Sequence, residues 1–328
     1  MKGWKKLRFI LVSMVFIMVL AACGGEQSSS SSEEAKEVKL VLNWFAKSQH
    51  GGVYSAIEEG LFKDNGLNVT VEPGGPQVSS INMVASGNAE FGLAHADQIV
   101  MARNEGIELV AVAAAMQGSP QAFMFHKGYG IDEFEDLNGR KVFIQPGIIY
   151  WEFLKNQYDL SGVEELAYTG QHVNFIDDMD AITQAFLTSE PYFMELEGVE
   201  VETKLVSDAG YDPYNVVLYV SKDYLEDNKE TVKAFTEAFV EGWNAYKDSY
   251  EEINPIIQED NPDIELESLQ FESESQEEFV YGMDAAEHGV GYMTEERWAT
   301  LIDQLYELGL VNEKFDASEI FTTEFLPQ

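Results

Sequence analysis

Val38–Val71 reads VKLVLNWFAKSQHGGVYSAIEEGLFKDNGLNVTV, and this stretch decides the fold. Val38–Leu42 is a short apolar run of strand type. Gly51–Glu59 has helical spacing, and Gly60–Gly66 (GLFKDNG) breaks it. Leu67–Val71 then alternates as a second strand. Strand, helix and strand within 34 residues is the unit from which parallel α/β sheets are built.

The same rhythm continues. Pro73–Pro76 is a loop, and Val78–Ala85 is a helix closed by Ser86-Gly87. Phe91–Ala94 is a buried strand, a helix runs from an Asp97 cap through Asn104, and Leu109–Ala115 is an all-apolar strand. Phe123–Phe125 and Arg140–Ile144 are strands, Gly147–Tyr158 is a helix, and Asn174-Phe175 is a short strand. Met179–Thr188 has helical spacing and Val216–Val220 is a strand. Lys229–Asp248 is a long amphipathic helix, followed by helices over Ser275–Glu287 and Thr294–Leu308. The pattern predicts a mostly parallel α/β protein of two lobes. The chain would cross between them near Phe125–Gly130 and Leu218–Lys222, giving lobe one as residues 38–127 plus 222–328 and lobe two as 128–221. Two crossings make a two-segment hinge, with a ligand in the interlobe cleft beyond the strand ends.

Composition narrows the function. The net charge of −38 excludes nucleic-acid binding as a main task. A single cysteine, Cys23, excludes a disulfide framework and a cysteine-based metal centre. The five histidines (His50, His95, His126, His172, His288) form no HExxH or HxH, and there is neither a GxSxG elbow nor a Walker A loop. No cofactor, metal or catalytic centre is expected.

The N-terminus reads as an address. Lys2, Lys5, Lys6 and Arg8 precede an apolar run from Phe9 to Leu20, too short for a comfortable span and suited to a secretory signal. Leu20-Ala21-Ala22-Cys23 resembles a bacterial lipobox, which implies cleavage after residue 22 and a diacylglycerol on Cys23. Residues 23–37 then form a Ser/Glu-rich tether with almost nothing to pack. Removing residues 1–22 deletes four basic side chains and no acidic one, taking the net charge from −38 to −42.

Candidate ligand contacts sit at strand ends. Trp44 follows an apolar strand, and a planar heteroaromatic ring stacked on it would gain roughly 0.5–1.5 kcal/mol beyond buried area; the alternative is a core plug. His50 and Tyr54 lie four apart on one helix face, with packing the alternative for Tyr54. His95 and Asp97 follow the strand Phe91–Ala94, and Asp97 has helix capping as its alternative. Gln117, Ser119 and Gln121 surround Pro120. Gln145 ends a strand before Tyr150 and Trp151, of which one faces the ligand and the other packs. Glu190 and Tyr192 flank Pro191, with a surface carboxylate the alternative for Glu190, and Tyr214 sits in YDPYN. The only base in these loops is Lys47, against Asp97 and Glu190, which leans toward a neutral or amine-bearing aromatic rather than an anion.

Four segments carry a resemblance: Leu42–Val71, Ala85–Ala102 (ASGNAEFGLAHADQIVMA), Asp136–Val142 (DLNGRKV) and Ser189–Phe193 (SEPYF). In order along the chain they resemble the ABC-transporter substrate-binding proteins for sulfonates, nitrate and thiamine-pyrimidine precursors. Asn43-Trp44, His50-Gly51 and Tyr54 are most similar to the pyrimidine-precursor branch, which riboflavin-handling relatives also resemble. The resemblance implies a type II periplasmic-binding-protein fold, no catalysis, and delivery of a solute to an ABC permease and its ATPase by a monomeric, lipid-anchored protein on the outer face of the bacterial cell membrane. At the family's Glu-Pro position, Glu190 would accept from an exocyclic amine. Fungal pyrimidine-precursor synthases are an enzymatic rival. Their pattern has a cysteine-rich run and a pyridoxal-phosphate lysine, whereas here the matching strand end reads Gly92-Leu93-Ala94-His95. A surface lipoprotein that binds a protein partner is the third class considered.

Overall fold

The computed structural model describes residues 35–327. The signal segment, the lipobox with Cys23 and most of the tether lie outside the described residues. At the tether's end, Lys36 and Glu37 already belong to a strand, paired with Leu67 and Asn68.

Among the described residues, ten strands form two five-stranded sheets. The first contains β1 (Lys36–Val41), β2 (Leu67–Glu72), β3 (Phe91–Ala94), β4 (Leu109–Met116) and β10 (Asn215–Ser221), in the order β2-β1-β3-β10-β4. The second contains β5 (Gln121–His126), β6 (Lys141–Ile144), β7 (Glu164–Ala167), β8 (Ile182–Phe186) and β9 (Val201–Leu205), in the order β7-β6-β8-β5-β9. The two orders are the same pattern. In each sheet one strand is antiparallel to its neighbours, β10 in the first and β5 in the second. Each of these is the first strand after the chain changes sheet. This is the expected fold class, type II periplasmic-binding-protein architecture.

The changes of sheet fall earlier than the sequence suggested. They occupy residues 117–120 and 206–214, not 125–130 and 218–222, because β5 already belongs to the second sheet and β10 to the first. The markers are Gly118-Ser119-Pro120 and Gly210-Tyr211-Asp212-Pro213. Gly128 and Gly130 only turn the chain within the second layer. Ser119 N–H donates to Asp212 Oδ1 at 2.7 Å and ties the two crossings together.

Three elements differ from the periodicity. Met179–Thr188 contains the strand β8, not a helix; it lies between β6 and β5, where a short run buried on both faces carries no alternation. Asn174-Phe175 lies in a helical turn, Val173–Ile176. Ser275–Glu287 is broken: helices Leu266–Ser275 and Glu277–Tyr281 are separated at Gln276, and the latter from Ala285–His288 near Gly282 and Met283, Met283 at φ +49°. β7 and β9, short and half-exposed, were not among the strands expected from the sequence.

Behind the first sheet, helix Gly51–Glu58 crosses the long helix Lys229–Asp260. The crossing is close because both helices are bare where they touch. A Cβ on Gly52 would sit 2.3 Å from the Trp243 ring, and one on Gly242 would sit 2.1 Å from the Gly52 carbonyl. This contact anchors the helix that carries His50 at its N-terminal end. Among the described residues no helix is long and apolar enough to cross a membrane.

Candidate ligand-binding site

The parallel strands aim their carboxyl ends at a gap between the sheets. Asn43 and Trp44 follow β1, His95 follows β3, Gln145 follows β6, and Tyr168 follows β7. Together with Gln121 and Gln184 they line a small inner chamber of about 60 Å³. Strand ends are where open α/β sheets leave side chains free for a ligand.

Six carboxamides reach this chamber: Asn43, Gln49, Gln121, Gln145, Gln184 and Gln276. Some are oriented by backbone groups whose polarity is fixed. Gln184 Oε1 accepts from Gln145 N–H, which leaves its NH₂ free. Gln276 Nε2 donates to the Ser48 carbonyl at 2.9 Å, which leaves its C=O free. The Lys47 N–H donates to His50 Nδ1 at 3.4 Å, and His50 Nε2 lies 2.9 Å from Asn43 Oδ1 and 3.2 Å from Gln49 Nε2. With its Oδ1 against the ring, Asn43 keeps its NH₂ for the chamber. Burial, helped by the Lys47 charge, pushes the His50 pKa down to about 3, so the ring is neutral. The chamber thus offers both donors and acceptors, which suits a planar heterocycle with a mixed hydrogen-bonding edge.

One cation and two carboxylates lie at its floor. Lys47 Nζ is 3.5 Å from Glu190 Oε1 and 3.4 Å from Glu272 Oε1, and donates to Ser189 Oγ at 2.7 Å. Ser189 Oγ in turn donates to Glu272. Burial alone would pull the lysine down; Glu190 and Glu272 outweigh it and hold the ammonium above its ordinary value. Burial raises Glu190, but Lys47, His172 and the Phe186 N–H (2.7 Å) overcome it, so this carboxylate stays ionised. For Glu272 burial wins and its pKa is raised, despite Lys47. Lys47 and Glu190 form the charged pair, and no free positive charge is left for an anion.

A second, larger space of about 580 Å³ opens outward from this floor. Trp44, Lys47, Tyr168, Ser189, Glu190 and Glu272 line both spaces. Its walls add Phe45, His172, Val173 and Phe193, with Glu197, Asp263 and Glu265 at the rim. Trp44 and Phe45 meet edge to face, with centroids 5.5 Å apart. The Nδ1 atoms of His95 and His172 are buried without a partner. Burial lowers both imidazoles, against the pull of Asp97 and Glu190 respectively, and favours the neutral rings.

Of the residues singled out in the sequence, Asn43, Trp44, His95, Gln121, Gln145, Tyr150 and Glu190 line the inner chamber. Seven do not. His50 is buried behind Asn43 and orients it. Tyr54 faces the long helix and donates to Asp260 at 2.7 Å. Asp97 accepts from Tyr211 at 2.7 Å and is not a helix cap; that place belongs to His95. Gln117 is spent on the Ala114 and Tyr292 carbonyls. Ser119 supports Gln121 from behind, its Oγ 3.2 Å from Gln121 Oε1. Tyr192 stacks on Phe271. Tyr214 lies under the Arg297 guanidinium, 3.9 Å away, and its hydroxyl accepts from Thr294 N–H. Of the aromatic pair, Tyr150 faces the chamber and Trp151 packs edge-on to Phe123. The sequence reading did not single out Gln49, Tyr168, Gln184, Ser189, Glu272 and Gln276. Ser189 stands beside Glu190 and was within reach of the loop argument. Glu272 and Gln276 come from a distant helical segment with no local signal.

The profile of the family described as NMT1/THI5 like matches residues 47–253, from Lys47 at the chamber floor to the long helix. The chain belongs to the NMT1/THI5-like family. Within reach of this NMT1/THI5-like chain is the formylaminopyrimidine-binding protein of Halalkalibacterium halodurans, 24% identical, covering 98% of this chain and 99% of that one. The riboflavin-binding protein RibY of Chloroflexus aurantiacus is 22% identical, with 98% of each covered. The 4-amino-5-hydroxymethyl-2-methylpyrimidine phosphate synthase of Legionella pneumophila is 22% identical over 88% of this chain and 92% of its own. Among solved structures, the periplasmic aliphatic sulphonate binding protein SsuA of Escherichia coli superposes with a TM-score of 0.66 at 15% identity, covering 87% of this chain and 91% of that one. That likeness concerns the fold.

Proposed function

We propose that this protein is the extracytoplasmic solute-binding component of an ABC importer and captures a small, planar, nitrogen-rich heteroaromatic such as a thiamine-pyrimidine precursor. The observation that carries this reading is the inner chamber: six carboxamides presenting donors and acceptors, beside Trp44 and Tyr150. Closure of two lobes about the crossings 117–120 and 206–214 would bury the ring, by a population shift equal to the ligand's preference for the closed form. Anchoring through a lipid on Cys23 would hold the protein near its permease.

The charge arrangement argues against a sulfonate or nitrate. Among the described residues, Lys47 is the only lysine or arginine lining either space, and two carboxylates hold it. It also argues against a synthase. A Schiff-base lysine needs a depressed pKa, whereas Lys47 is held up, and the strand end that the resemblance matches to the synthase pattern, Gly92-Leu93-Ala94-His95, has no lysine. The larger outer space favours a flavin as second reading, since a tricyclic ring exceeds the inner chamber. Mass spectrometry of the small molecule that co-purifies, followed by isothermal titration with it, tests the proposal. A pyrimidine or flavin is expected; a sulfonate, or turnover of the bound compound, would remove it.

A further inference from the structure

The outer space has a charge pattern that the ring-binding chamber does not need. Its lining holds five carboxylates, Glu190, Glu197, Asp263, Glu265 and Glu272, against the single ammonium of Lys47. Glu190 and Glu272 are already committed to that lysine. Glu197, Asp263 and Glu265 have no such partner and are exposed at the rim. Neighbouring side walls are aromatic or apolar: Trp44, Phe45, Phe193 and Val173. The inner chamber is about a tenth of the outer space, so a ring seated with its polar edge there extends into the outer one. Whatever the ring carries must therefore lie outward, past the Lys47–Glu190 pair and beneath the rim carboxylates.

We infer that the outer space is a second subsite, which accepts a neutral or amine-bearing substituent on the ring and rejects a phosphate ester of the same compound. This rests on the proposed function above. The physical reason is like-charge repulsion in a partly enclosed space. A phosphate ester brings nearly two negative charges into a region with uncompensated carboxylates and no free cation to receive them. A hydroxyl carries no charge for that field to repel, and a protonated amine is attracted by it.

Matched pairs test this by isothermal titration: 4-amino-5-hydroxymethyl-2-methylpyrimidine against its phosphate, and riboflavin against riboflavin 5′-phosphate. In whichever pair binds, the ester is expected to bind at least about tenfold more weakly, with the gap narrowing as salt is raised. The exposed triple variant Glu197→Gln, Asp263→Asn, Glu265→Gln should narrow the gap severalfold at fixed salt. Equal or tighter binding of the ester would overturn the inference while leaving the heteroaromatic reading standing. So would a gap that the triple variant and salt both leave unaltered. Silence from all four compounds would overturn the heteroaromatic reading itself, and this inference with it.

Discussion

The phenol ring of Tyr192 lies flat on the ring of Phe271, with centroids 4.5 Å apart and planes within 8°. Tyr192 belongs to helix Glu190–Leu196 beside the second sheet, and Phe271 to helix Leu266–Ser275, which packs on the long helix behind the first. Neither lines the ligand spaces. With the Ser189–Glu272 hydrogen bond next to it, the pair clasps the two halves of the molecule together.

Phe271→Ala should therefore weaken ligand binding without touching the ligand. Loss of the ring stack costs roughly 0.5–1.5 kcal/mol, about two- to tenfold in Kd. The change should appear as faster dissociation in stopped-flow fluorescence, because under the proposed closure the clasp would hold the two halves together over the ligand. An unaltered off-rate would show that the stack plays no part in closure.

Trp44 is half-buried and shared between the two spaces, which places its indole against any ring seated there. Trp44→Ala should raise Kd at least tenfold, ~1.4 kcal/mol, as read by titration calorimetry. A dissociation constant equal to that of the parent protein would take Trp44 out of the site.

Gly52→Ala should destabilise the fold. The added methyl would press on the Trp243 ring at 2.3 Å, and the ring is fully buried with nowhere to turn. Overpacking of this kind costs typically ~1–3 kcal/mol. Thermal unfolding should show a lower midpoint; an unshifted one would mean that the two helices can separate freely.

His50 should make the protein acid-sensitive. Its pKa is about 3 folded, against 6.5 for the free side chain. Between these values the unfolded chain takes up a proton and the folded chain does not. The stability from this group is complete above pH 6.5 and drains away as pH falls toward 3. Each pKa unit is worth ~1.4 kcal/mol. Glu272 and Asp97, both raised mainly by burial, act in the opposite sense at acid pH. The informative quantity is thus the difference between the parent and His50→Gln. Urea midpoints should fall less steeply with acidification in the variant; parallel slopes would contradict a neutral, buried His50.

Much of the first sheet could be read from local chemistry. β1, β2, β3 and β4 each announce themselves by alternation or by an unbroken apolar run, and their flanking glycines mark the turns. The second sheet was harder. β8 is central and buried on both faces, so its residues carry no period that separates strand from helix. The crossings were misplaced for a related reason. Gly118-Ser119-Pro120 and Gly128-Tyr129-Gly130 are both turn signals, and only strand pairing tells which one changes sheet.

The site divides in the same way. Asn43, Trp44, His95 and Gln145 stand immediately after strands, so their place follows from the chain direction that parallel pairing imposes. Sequence alone determined the α/β alternation, the acidic balance and these strand-end residues. The tertiary structure decided which strand-end residues reach the chamber and which are spent behind it, as Tyr54 and Gln117 are on partners remote in sequence. It also brought Glu272 and Gln276 to Lys47 and Ser48 across more than two hundred residues. Burial and ion pairing depend on what the whole chain places around a group, and no local pattern of residues encodes that.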